Sequence, residues 1–212
     1  MTLFDFIKNH QGKKLLLASE TKTLNVEDIL TESYKLSPFL FGFYGKTVAL
    51  DFQNNFELAK WMIFVDGLAK RVTIIPTEIS SDNRSTFLTL SETEIVISDR
   101  DIQLAGLNVY NVNYLNIQES LKPPPLPQYL ETEWVITTSG TTGSPKLVKH
   151  TIKSLTNTVK KGKEPNNNTW GLLYSLHRFA GIQVFLQALT SCNTLVITET
   201  EEILSKKIKL LS

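Results

Sequence analysis

Three short apolar, β-branched runs constrain this chain more than anything else in it: "KTVALDF" (46–52), "RVTIIP" (71–76) and "TEIVISD" (93–99). Each is too short for a self-supporting helix and too continuously apolar for a strand with one wet face. Between the first two lies "NNFELAKWMIFVDGLAK" (54–70), where Phe56, Ala59, Trp61, Ile63, Phe64 and Leu68 make a broad apolar helical face. Between the second and third, residues 80–92 carry a weaker helical pattern with Phe87, Leu88 and Leu90. That strand–helix alternation predicts an α/β fold of mostly parallel sheets covered by helices on both faces, with right-handed crossovers.

The pattern breaks at "LKPPPLPQ" (121–128), where four prolines in eight positions cannot continue a helix or a central strand. With only Lys122 as a nearby cation, a connector is the better reading than a proline-rich recognition motif. The expected organisation is therefore a first α/β subdomain over 1–120, a proline-rich connector over 121–132, and the start of a second α/β subdomain over 133–212. In that second block "EWVITT" (133–138) and "KLVKHT" (146–151) read as extended. "IKSLTNTVKK" (152–161) reads as helical, "WGLLYS" (170–175) as a strand and "RFAGIQVFLQALTSC" (178–192) as a helix. "NTLVIT" (193–198) reads as a strand and "EEILSKKIKLL" (201–211) as an amphipathic helix. The pattern stops on a helix that still lacks its next strand.

Charge excludes several classes of function. Lys plus Arg is 22 against 21 for Asp plus Glu, so no net field favours nucleic acid or anionic lipid. No apolar run approaches the roughly 20 residues that span a bilayer, and the N-terminus lacks the pattern of a signal peptide. The three His are far apart, and the one Cys, Cys192, sits in an apolar-flanked run. Neither a metal cluster nor a disulfide framework is expected, and a reducing, cytoplasmic setting is.

Between the strands predicted at 133–138 and 146–151 lies a polar stretch, within "TTSGTTGSPKLVKHT" (137–151). Gly140 and Gly143 permit positive φ and close backbone approach. Ser139, Thr141, Thr142 and Ser144 supply hydroxyls, and Lys146 a point charge. Converging donors beside a cation can hold polyphosphate oxygens. The same composition also makes a polar turn whose hydroxyls satisfy their own backbone; composition does not choose between the two. The spacing is not that of a Walker A loop, so an ordinary P-loop nucleotidase is not expected.

The segment "TSGTTGSPKLV" (138–148) resembles the phosphate-binding signature of the adenylate-forming superfamily, which includes acyl-CoA synthetases, luciferases and adenylation domains of peptide synthetases. The match runs through Thr138, Ser139, Gly140, Thr141, Thr142, Gly143, Pro145 and Lys146 in register, and departs at Leu147, where the family usually has Gly. Further stretches are similar: "KTLNVEDILTESYKL" (22–36) to an early strand and helix, "VALDFQNNFELAKWMIFVDGLAKRVTIIP" (48–76) to an Asn-containing turn, helix and strand, and "LLYSLHRFAGIQVFLQALTSCNTLVIT" (172–198) to the helix lining the acyl pocket. The family's His-x-x-Gly reads here as His177-Arg178-Phe179-Ala180-Gly181, one residue longer, so that Arg178 falls at the His spacing.

The resemblance implies the N-terminal portion of the large domain of an ATP-dependent ligase. Such an enzyme joins a carboxylic acid to the α-phosphate of ATP with release of pyrophosphate, then passes the acyl group to a thiol of CoA or a carrier protein. It implies that Thr138, Ser139, Gly140, Thr141, Thr142, Gly143, Ser144 and Lys146 bind ATP, with Mg²⁺ met by Thr141 or Thr142. It also implies that His177, Arg178 and Gly181 lie at the substrate pocket; a structural His177 and a surface Arg178 are the plainer alternatives, and His150 reads as a strand-end residue. The adenine-binding "YG-x-T-E", the ribose-binding Asp, the hinge and the catalytic Lys of this family lie downstream of position 212. No catalytic residue is therefore expected within the chain, and it should be inactive without the remaining C-terminal part of the enzyme. A naturally short, non-catalytic nucleotide- or partner-binding module completed by another chain is the alternative.

Overall fold

The computed structural model describes residues 1–8, 15–115, 128–138, 146–159 and 168–198. In chain order the elements are α1 (Leu3–Ile7), β1 (Leu15–Ala18), β2 (Thr23–Asn25), α2 (Val26–Leu40), β3 (Thr47–Asp51), α3 (Asn55–Val65), β4 (Arg71–Ile74), α4 (Ser81–Leu90), β5 (Ile95–Ser98), β6 (Asn108–Asn111), β7 (Glu133–Thr138), β8 (Lys146–His150), α5 (Ile152–Thr156), β9 (Thr169–Leu172), α6 (Phe179–Thr190) and β10 (Thr194–Ile197). The helix expected over 201–211 lies outside the described residues.

Two sheets form. One has six strands in the order β6-β5-β3-β4-β7-β8, the other four in the order β2-β1-β10-β9. All pairs are parallel except β1–β2 and β7–β8. All five residues of β3 are buried, as a central parallel strand requires. The period-2 side-chain alternation divides them between two cores: Val48 and Leu50 join the main cluster, Ala49 a smaller one with Ile75, Phe87, Leu88 and Val96. The main cluster contains residues of both sheets and of α3 and α6, and α6 touches β7 on one side and β9 and β10 on the other.

The expected division at 121–132 does not separate one sheet from another. β7, after the connector, pairs in parallel with β4 before it, and β10 pairs with β1. Strands from both halves of the sequence complete both sheets, because neither set of edges is covered by its own half.

Helix ends follow their caps. Asn54 accepts from the amides of Phe56 and Glu57 and opens α3. The helix stops at Val65, short of the expected 70, because Asp66 turns extended and Gly67 takes φ +81°. A Cβ at Gly67 would also stand 2.8 Å from Thr2 Cγ2 and from Tyr129 Cδ1, so the N-terminal segment closes over this turn.

Candidate functional site

The strands β7 and β8 flank the segment that resembles a phosphate-binding signature. Their antiparallel register runs from Thr138 opposite Lys146 to Trp134 opposite His150. Residues 139–145, which include Ser139, Gly140, Thr141, Thr142, Gly143 and Ser144, lie outside the described residues. Their two ends are placed: the loop leaves the carboxyl end of β7 and returns at Lys146, which is exposed. That is also the carboxyl end of β3, β4, β5 and β6, all parallel within the sheet. Open α/β sheets bind their ligands at this end, where strand order reverses.

Period-2 alternation puts Lys146, Val148 and His150 on one face of β8, the face on which Trp134 and Ile136 enter the main core. Leu147 and Lys149 take the other face. Leu147 packs against the cluster of Ala49 and Ile75, and Lys149 Nζ lies 3.3 Å from Glu133. The side chain that departs from the family pattern therefore has an apolar place of its own. His150 stands four residues along β8 from Lys146, about 13 Å at strand rise. It is remote from the loop; its ring centroid is 5.6 Å from that of Phe179. Partial burial holds the His150 imidazole below its usual pKa, favouring the neutral ring.

β7 is anchored from beneath. Trp134 Nε1 donates to Asp66 Oδ1 at 2.9 Å, and the amide of Leu3 donates to Asp66 Oδ2 at 2.7 Å. Burial of Asp66 raises its pKa to about 6, against the two hydrogen bonds that favour the carboxylate. At the strand's start Glu133 pairs with the Arg71 guanidinium.

His177, Arg178 and Gly181 come together at the start of α6 but do different things. His177 is 1% exposed. Its Nε2 is 2.8 Å from the Phe52 carbonyl and its Nδ1 is 3.0 Å from Ser175 Oγ, so both ring nitrogens are engaged within the protein. Burial lowers its pKa to about 4, and the ring is neutral at pH 7. Nε2 then carries the proton, because a carbonyl can only accept. His177 thus joins the α6 turn to the end of β3. Arg178 is the N-terminal cap residue of α6 and pairs with Glu78 at 2.7 Å. Gly181 does not line open space: a Cβ there would stand 2.2 Å from the Ser175 carbonyl oxygen.

Sequence reasoning missed the polar junction at the same end of the sheet. Asp51, 1% exposed, closes β3 between the Arg84 guanidinium at 3.0 Å and that of Arg100. Burial outweighs the two cations and raises its pKa. Asp99 accepts from the amides of Gln53 and Asn54 at 2.9 and 2.8 Å, and Asn55 Oδ1 accepts from Leu176 at 3.3 Å. The Asn-Asn pair after an apolar strand was the available signal. The partners, 45 to 121 residues away, gave none.

By sequence the chain matches no protein-family profile and no curated protein. By structure it matches o-succinylbenzoate CoA synthetase (MenE) from Bacillus subtilis in complex with its acyl-adenylate intermediate. There the TM-score is 0.82 at 18% identity, covering 98% of this chain and 58% of that one. The same enzyme in complex with ATP and magnesium ion gives a TM-score of 0.81 at 16% identity, over 98% and 59%. The N-terminal subdomain of Klebsiella oxytoca NpsA in complex with 3-hydroxybenzoyl-AMSN gives 0.77 at 16%, over 97% and 55%. The chain has the fold of the N-terminal part of an adenylate-forming synthetase, and it spans a little over half the length of these proteins. No helix among the described residues is long and apolar enough to cross a membrane.

Proposed function

We propose that the chain supplies the ATP phosphate-binding part of an AMP-forming carboxylate ligase, acting with the remaining C-terminal portion of such an enzyme in the cytoplasm. The observation that supports this reading is where the described ends of the signature lie: Thr138 closes β7 opposite Lys146, which opens β8 and is exposed, at the carboxyl end of β7 and of its parallel neighbours. The donor set suits the task. Hydroxyls of Thr138, Ser139, Thr141, Thr142 and Ser144 and amides at Gly140 and Gly143 would hold the β- and γ-phosphates of the ATP substrate. Lys146 would offset charge on the departing pyrophosphate. Mg²⁺, when bound, would neutralise phosphate charge, with the hydroxyl of Thr141 or Thr142 as the protein ligand.

In the first step a carboxylate oxygen bonds to the α-phosphorus and the bond to pyrophosphate breaks. This chain's part is to hold the leaving group in line and neutralise it. The acyl group then goes to a thiol of CoA or a carrier protein. Losing one charge-assisted contact typically costs about 1.5–3 kcal/mol. Lys146→Ala should therefore weaken MgATP binding by the full-length protein roughly ten- to hundredfold, measured by titration calorimetry. Unchanged affinity would remove Lys146 from the site.

A further inference from the structure

We draw no further inference here: the strongest candidate, the cleft of about 320 Å³ between the C-terminal half of α4 and the 104–107 turn, is walled by Leu88, Leu104 and Leu107 with Glu92 as its one carboxylate, and since Glu92 is already paired with Arg71 nothing in the structure shows what would fill it.

Discussion

His177 shows how little of a residue's role its identity settles. A histidine near a family motif invites a part in the chemistry, yet here both ring nitrogens are spent on Phe52 and Ser175 in a dry setting. Its pKa, about 4 in the folded chain, lies below the ordinary 6.5 because burial disfavours the charged ring. The unfolded chain therefore binds the extra proton first as pH falls. The stability this group contributes is complete above about pH 6.5 and is lost progressively between there and about pH 4, to a total of about 3 kcal/mol. Asp66 acts in the opposite sense: its pKa of about 6 exceeds the ordinary carboxylate value, so its ionisation costs stability as pH rises through the window from about 4 to 6. The two partly cancel in the wild type, and a difference measurement separates them. In His177→Gln the stability deficit relative to wild type, followed by urea unfolding, should shrink by about 3 kcal/mol from pH 7 to pH 4. A deficit that stays constant over that range would mean that the ring is not buried neutral.

At the scale of elements, much was legible. The strands at β3, β4, β5, β7 and β10 were readable as continuous apolar runs because parallel strands are buried on both faces. α3 announced itself through an Asn cap and a helical pattern buried almost all round. What escaped were α1, β1 and β6, each five residues or fewer. Segments so short take their structure from neighbours; β1 exists because β10, nearly 180 residues later, pairs with it. α6 was legible too, but the close approach that its glycine permits was not: Gly181 lies against the 175–176 backbone. Gly181→Ala should accordingly force α6 away from that turn and cost about 3 kcal/mol, the upper end for overpacking. Thermal unfolding would read this as a lowered midpoint, and an unaltered midpoint would show that the turn yields freely.

At the scale of the whole molecule, the proline-rich segment looked like a frontier because local composition changes there. The sheets ignore it. β7 and β8 finish the sheet begun by β3, and β9 and β10 finish the one begun by β1, so the β7–β8 hairpin rests on strands from the first half of the chain. Strand order is a non-local property, and no stretch of sequence states it. The end of the sheet where β3, β4, β5 and β7 finish gathers Asp51, Arg84, Arg100, Asp99 and His177 as a polar floor, and Lys146 begins the strand that returns from the loop at that end. The most direct measurement is carboxylate-dependent exchange of labelled pyrophosphate into ATP by the full-length protein. Exchange that requires an added carboxylic acid and falls at least tenfold at sub-saturating ATP in Lys146→Ala is the predicted result. ATP turnover without any acid, or acid-dependent exchange indifferent to Lys146, would contradict the account.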